Sequence, residues 1–366
     1  MAGRFSLKKF ADINLNDEFF DSLKADYPGT ENSTGFIEWF AKKAETGATA
    51  LVFEDEIGVG AFVVLKIEEE EIELQSAVLP KMERLKISTF RISERYRRQR
   101  IGEGAIGLLL WKWLQLKCDE VYVTVFDKHT TLISQFERFG FQKCGMNLNG
   151  ENVLIKSRKK IDFSDPYKAF PFIKDGFDYA GYIIIDDYYH DTMFAYSELA
   201  NTASLQSEIS SSVSNGLSKI YVGQASNINH KVGEPVLVYR RYTQGTGKRY
   251  RSCITSYCVV TDVIQAKINN KYLMSFDDLK QRIGNKSVFN ESELQKQYHE
   301  YRNVTVVEML YYGYFGAGNN VNMDWLDRQG CWAEQGQYPT EVHLTTNQFK
   351  KVLMEGKVNV SNVIIN

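Results

Sequence analysis

Metal ligands and disulfide partners are scarce in this sequence. Its five cysteines (Cys118, Cys144, Cys253, Cys258 and Cys331) contain no Cys-x-x-Cys pair, and its five histidines are dispersed along 366 residues. An odd, scattered set of thiols is no disulfide framework, and without clustered ligands no metal is expected, even where Cys253 and Cys258 flank a β-rich run. The simple reading is a reduced, cytoplasmic protein with buried thiols. Long apolar runs are missing too. The longest, around residues 105–113 and 183–185, fall short of the roughly 18 residues that a membrane helix needs. The opening MAGRFSLKKF has two lysines but no apolar segment behind them, so neither a secretory signal nor a membrane partner is expected. A large charge of either sign is the third absence. The formal net charge of −2 argues against coating of nucleic acid by bulk charge and leaves only a local basic patch for such a partner.

What is present is an ordinary globular composition, 43% hydrophobic and 25% charged, in a chain long enough for two domains. Residues 16–25 and 35–45 read as amphipathic helices, with Phe36, Trp39 and Phe40 at helical spacing. Residues 50–53 and 59–67 are β-rich runs joined by the acidic turn Glu54-Asp55-Glu56, a hairpin signal. The acidic run at 68–71 reads as a solvated loop or strand end. A strand at 87–92, a basic loop, a helix at 101–116, a strand at 121–126 and a helix at 130–139 follow, the last closed by Gly140 as a C-cap. This order gives an α/β unit around one sheet. The basic run at 156–160 and the polar stretch 162–165 look like a joint, so the expected domains are 1–160 and 161–366. Beyond the joint, short strands are expected at 182–185, 219–222, 235–239, 252–261 and 304–310, separated by turn residues. They read as a mostly β barrel with attached helices. The Ser-rich stretch 203–218 reads as a helix or mobile loop.

The junction Phe90-Arg91-Ile92-Ser93-Glu94-Arg95-Tyr96-Arg97-Arg98-Gln99-Arg100-Ile101-Gly102-Glu103-Gly104 runs from strand through basic loop to helix start. A helix N-terminus offers unpaired N–H groups and a partial positive charge to an anion, and glycine lets the backbone approach it. Five arginines between Arg91 and Arg100 add to the potential. This junction resembles that of the GNAT superfamily of N-acetyltransferases, which carries Arg/Gln-x-x-Gly-x-Gly/Ala there. Two registers fit, one from Gln99 to Gly104 and one from Arg97 to Gly102 with Arg100 in place of the first glycine; the spacing to the next landmark favours the second. The segment Phe136-Glu137-Arg138-Phe139-Gly140-Phe141 stands where the family has Tyr-Glu-Lys-x-Gly-Phe. The resemblance covers residues 1–160. The bland alternative is a basic loop that only solubilises a helix start.

The resemblance implies acetyl-CoA as cofactor, held by Phe90, Arg91, Ile92, Arg97, Arg98, Gln99, Arg100, Ile101, Gly102, Glu103, Gly104 and Phe136. It also implies a thioester lying between the strands at 87–92 and 121–126, which splay apart. The family's proton-donating tyrosine is Phe136 here. His129 takes the place where many members carry asparagine and is the candidate catalytic or cofactor-orienting residue; its alternative is a helix-start histidine without chemistry.

In the second half, Lys219–Val222 and the stretch Val232-Gly233-Glu234-Pro235-Val236-Leu237-Val238-Tyr239-Arg240-Arg241 resemble the PUA-like small barrels, ASCH and EVE domains among them, though the fuller ASCH signature is missing. Such barrels often bind RNA or a modified base. Independently, Tyr239, Arg240, Arg241, Lys248, Arg249 and Arg251, with Tyr242 and Tyr250, combine cations for phosphate with rings for stacking, which suits RNA or another nucleic acid as partner. A solvated hairpin with Gly245 and Gly247 at its tip is the other reading. His190 either lines a cleft or packs beside tyrosines. The function implied is acetyl-CoA-dependent N-acetyl transfer to an amine of a nucleic acid or nucleotide-linked group held by the barrel. A protein or small-molecule N-acetyltransferase and a non-catalytic CoA or nucleotide sensor stay open.

Overall fold

The structure, a computed structural model, describes residues 4–30, 34–194, 196–197, 199, 212–335 and 337–366. Strands β1 (Arg4–Lys9), β2 (Thr49–Asp55), β3 (Gly58–Glu73), β4 (Val78–Ile92), β5 (Glu120–Phe126), β6 (Gln142–Met146) and β7 (Glu151–Ser157) form one sheet in the order β1-β2-β3-β4-β5-β7-β6. Only β4 and β5 pair in parallel among its described strands, joined by the crossover helix α3 (Ile101–Gln115). Helices α1 (Asp21–Asp26) and α2 (Phe36–Glu45) cover one face through a cluster with Phe10, Phe20, Phe36, Phe40 and Phe62. Helix α4 (Thr130–Arg138) joins α3 on the other face, over Leu85, Ile87, Val121 and Val123.

Three expectations need correction. The acidic run 68–71 lies inside β3, because the β3–β4 hairpin extends well beyond its apolar base. Glu69, Glu70 and Glu71 are exposed there, as a solvated strand end would be, while Glu68 is buried, receives the Tyr122 hydroxyl and pairs with Lys66 and Lys86. Strands β1, β6 and β7 are additions to the expected order. Lastly, Lys156 belongs to β7 and not to an exposed joint. Its amine is buried and donates to the carbonyls of Phe139 and Lys168, tying α4 to the short helix α5 (Pro166–Ala169).

The second sheet runs β10 (Ser218–Gly223), β14 (Val304–Tyr314), β12 (Cys253–Ile268), β11 (Pro235–Arg241), β9 (Gly181–Asp186). Short β13 (Lys271–Tyr272) and β15 (Val321–Asn322) pair with β12, and β8 (Ile173–Lys174) pairs with β16 (Ile364–Ile365). Every expected strand is there, but the hydrogen-bonded path ends at β9 and β10 and does not close, so the sheet is open and not a complete barrel among the described residues. Three register shifts between β12 and β14 bend it. Of the stretch expected as helix or loop at 203–218, residues 203–211 lie outside the described residues; Ser212–Asn215 is a short helix leading into β10.

Helix α3 joins the two sheets. Ten of its fifteen residues are buried, more than one apolar stripe would need, because it packs on both sides. Trp111 donates its indole N–H to the Tyr312 carbonyl of β14 at 2.6 Å and meets the Tyr311 ring edge-on. One hydrophobic cluster therefore runs from β5 through α3 into β12 and β14. Among the described residues no helix is long and apolar enough to cross a membrane.

Candidate active site

The site begins where two strands part. β4 and β5 pair from Arg84–Ile87 against Glu120–Val123 and no further, although β4 continues to Ile92 and β5 to Phe126. A bulge on β4 at Ser88, seen as a register shift against β3, sits at the parting. Bulges turn a strand and end its pairing on one side. The gap opens into a cleft of about 1250 Å³. Phe90, Arg91 and Ile92 line it from β4, His129 to Leu132 from the start of α4, Leu23 and Asp26 from α1, and the loop from Ser93 to Glu103 forms its mouth.

The loop presents a helix N-terminus to this cleft. The first intrahelical bond of α3 is from Gly104 N–H to Arg100 C=O at 3.1 Å, so the N–H groups of Ile101, Gly102 and Glu103 have no acceptor one turn back. All three residues line the cleft. Arg98 and Arg100 hold left-handed backbone conformations, φ 66° and 60°, which cost a non-glycine residue roughly 1–2 kcal/mol each. Arg100, which the Arg97-to-Gly102 register sets in place of the first glycine, thus holds a conformation that glycine adopts without strain. Gly104 plays another part. A Cβ there would lie 2.1 Å from the Asn215 carbonyl oxygen, so this glycine admits the second half of the chain and does not face the cleft. A Cβ on Gly102 would point at Gln135 Oε1, 3.0 Å away, on the cleft wall.

Of the five arginines, three are committed elsewhere. Arg91 donates to the Phe19 carbonyl at 3.1 Å and lies over the Phe19 ring, with burial lowering its pKa. Arg95 binds Asp55 and the Gly58 carbonyl. Arg100 forks onto Glu103 and donates to the Ser218 carbonyl. Arg97 and Arg98 are exposed, Arg97 pairing with Glu94. Arg100 and Arg91 therefore offer backbone more than charge to an anion, so fewer than the five arginines expected to add to the potential present a free side chain there.

Phe136 is fully buried between Phe90 and Phe141, behind the cleft wall, and is not among the lining residues; it supports Phe90 and touches no ligand space. His129 does reach the cleft. It precedes α4, its ring is 40% exposed, and Nε2 lies 3.6 Å from Asp26 Oδ2. Lys128 pairs with the same carboxylate. Sequence reasoning missed Asp26, because its partners lie about a hundred residues away and nothing local marks it. The arrangement can bind a diphosphate at the α3 N-terminus and pair an extended amide chain along β4, with the His129 imidazole facing the same space. Phe136 leaves no phenol to serve as acid.

The expected nucleic-acid cluster does not assemble on one surface. β11 pairs on both sides, with β9 and β12, so Tyr239 and Arg240 lie in a central strand and are buried. Arg240 donates from Nε and Nη2 to the two Asp191 oxygens, each at 2.8 Å. Asp191 in turn bonds His190 Nδ1 at 2.8 Å, and His190 Nε2 meets Thr255 Oγ1 at 2.7 Å. Burial alone would raise the Asp191 carboxyl, but Arg240 and His190 hold it down, to about 2. His190 is the packed histidine, its pKa lowered by burial. Arg241 pairs with Asp186, and Arg249 with Asp324 and Asp327. Arg251 donates to the Tyr242 hydroxyl at 2.6 Å and lies over that ring, beside exposed Lys248 and Tyr250. Among the described residues no group of three His, Cys, Asp or Glu could hold a metal ion.

No family model matches the chain. Over 75 residues it is 33% identical to the spermine/spermidine N(1)-acetyltransferase of Bacillus subtilis and 31% identical to a probable spermine N(1)-acetyltransferase of B. subtilis subsp. natto. Each match takes in 20% of this chain and 49% of the relative, so the chain spans about half the length of the curated relatives it matches. Similar solved structures include Arabidopsis thaliana Naa50 in complex with a bisubstrate analogue, at 17% identity and TM-score 0.29, over 42% of this chain and 98% of that one. The ASCH protein of Zymomonas mobilis is similar over 47% of this chain and 94% of that one, at 10% identity and TM-score 0.28.

Proposed function

We propose that the chain is an acetyl-CoA-dependent N-acetyltransferase of the GNAT type. One observation carries the reading: β4 and β5 part at Ile87 and Val123, and the gap opens onto the unpaired N–H groups of Ile101, Gly102 and Glu103. The partial likeness to spermine acetyltransferases supports it.

When bound, acetyl-CoA supplies an acetyl group activated as a thioester. The amides at the start of α3 hold its pyrophosphate, and the backbone of Phe90 to Ile92, free of β5, aligns the pantetheine arm as an added strand. The acceptor must be a neutral amine when its nitrogen attacks the carbonyl carbon and the C–S bond breaks. His129 takes the proton that the amine loses and returns it to the departing sulfur. The likeness to spermine acetyltransferases favours an amine of a small molecule or a protein as acceptor. A nucleic-acid-linked amine is the second reading, and its support is the exposed tip bearing Lys248, Tyr250 and Arg251.

Incubation with labelled acetyl-CoA and, separately, spermidine, a peptide pool and tRNA, read by mass spectrometry, tests both. Acetyl transfer to spermidine or peptide, lost in Gly102→Trp, supports the first reading. Transfer to tRNA that weakens with salt and with Lys248→Ala or Arg251→Ala supports the second. Label on none of the three speaks against transferase activity. His129→Ala is expected to lower kcat roughly 100-fold, with little change in KM for acetyl-CoA; an unchanged kcat removes His129 from the chemistry.

A further inference from the structure

We infer that the second half of the chain positions the cofactor loop, with Asn285 as a positioning residue for it; this rests on the assignment of that loop to CoA. Three consecutive loop residues are held from across the interface. The Arg98 carbonyl accepts from Asn285 Nδ2, and the Gln99 carbonyl accepts from Asn215 Nδ2 at 3.2 Å. The Arg100 guanidinium, forked onto Glu103, donates to the Ser218 carbonyl at 2.6 Å. Ser218 is fastened in turn: its N–H donates to Glu103 Oε1 and its hydroxyl to Glu308 Oε1, both at 2.7 Å. Lys286, next to Asn285, pairs with the other Glu308 oxygen at 2.6 Å. The contacts close a ring from Arg98 through Asn285, Lys286, Glu308 and Ser218 to Arg100.

The ring has a physical purpose. Arg98 and Arg100 sit in the left-handed region, which residues with a Cβ occupy only when their surroundings impose it. A glycine at Arg100 would take that conformation unaided. Here the arginine takes it while its side chain is locked to β10, and Arg98 is locked by Asn285. Asn285 is the one residue beyond position 160 among the described residues that line the cleft. The left-handed turns set where the N–H groups of Ile101 to Glu103 lie, so the anion site depends on groups that the first sheet does not contain.

The test uses the full chain without ligand and with acetyl-CoA. Asn285→Ala is expected to speed hydrogen exchange of the loop's bonded amides, Gln99 (to the Tyr96 carbonyl) and Gly104 (to the Arg100 carbonyl), about fivefold and to weaken the acetyl-CoA Kd about fivefold, the effect of one lost hydrogen bond. Glu308→Gln, on the side of the ring away from the cleft, is expected to speed the same amides to a lesser degree and guards against misfolding of the first variant. Unchanged exchange in both variants overturns the inference. A weaker Kd without faster exchange also overturns it, because Asn285 would then be a ligand contact. Gly102→Trp separates the two assignments. If it leaves acetyl-CoA binding intact while Asn285→Ala speeds exchange, the loop is positioned as argued and its assignment to CoA falls. If it abolishes binding while Asn285→Ala changes nothing, only the positioning role falls.

Discussion

Arg240 shows at the residue scale why a charge must be judged by what faces it. Its guanidinium is buried against both oxygens of Asp191. Arg240→Ala leaves the half-buried Asp191 carboxylate with only His190 and takes the cation from beside buried Asp187, so a loss of about 3 kcal/mol is expected in urea unfolding. Arg241→Ala, from an exposed pair with Asp186, should cost about 0–1 kcal/mol. Equal losses in the two variants would contradict this placement. The basic stretch from Tyr239 to Arg251 was legible in the sequence as a run of cations and rings. What it could not show were Asp186, Asp191, Asp324 and Asp327, which neutralise it from distant positions.

Lys156 carries the pH dependence at this scale. Burial pushes its amine from 10.5 down to about 7. Its two carbonyl acceptors match two N–H groups of a neutral amine. Between those pH values the unfolded chain holds a proton that the folded chain does not, so this group makes stability rise as pH climbs from 7 to 10.5. Below pH 7 both states are charged and the burial cost stands in full. Lys156→Met strands two buried carbonyls, and a loss of about 1–3 kcal/mol is expected near pH 7. Thermal unfolding from pH 7 to 10 should show the wild type rising relative to this variant; parallel profiles would show that Lys156 does not titrate there.

Helix α3 is the element on which fold and site both depend. Its glycines at 102 and 104 were legible as a phosphate-loop signature, but packing gives these two and Gly107 different work. Only Gly102 faces the cleft; a Cβ on Gly107 would meet Leu217, and one on Gly104 the backbone of Asn215. Gly104→Ala should therefore cost about 2–3 kcal/mol, since a carbonyl cannot swing aside, and Gly107→Ala about 1 kcal/mol, since the Leu217 side chain can. Denaturant melts check the order, and a milder effect at Gly104 would contradict it. The hairpin, the crossover helix and strands β4 and β5 were readable from periodicity and turn residues. β1 and β6 were not, because Arg4–Lys9 and Gln142–Met146 carry two apolar residues or fewer outside glycine and cysteine, too few for a period to emerge.

For the whole molecule, the two sheets share one core through α3, and the cleft mouth includes Asn285 from the second half. Three of the five loop arginines are held by the protein itself, so the cleft's recognisable features are geometric: a helix N-terminus and a strand edge free of β5. Two open edges of the second sheet, β9 and β10, mark where the expected barrel fails to close. Closure depends on how far β12 bends, which strand patterns alone do not encode. The claim on which the rest depends is that the cleft takes acetyl-CoA. Gly102 has an ordinary helical backbone and abuts Gln135 across the cleft, so a tryptophan there fills the anion site without forcing a strained φ. Calorimetric titration of the full chain with acetyl-CoA should show a single site whose affinity falls at least about tenfold, a loss of about 1.4 kcal/mol or more, in Gly102→Trp. No binding by the wild type, or equal binding by the variant, would contradict it.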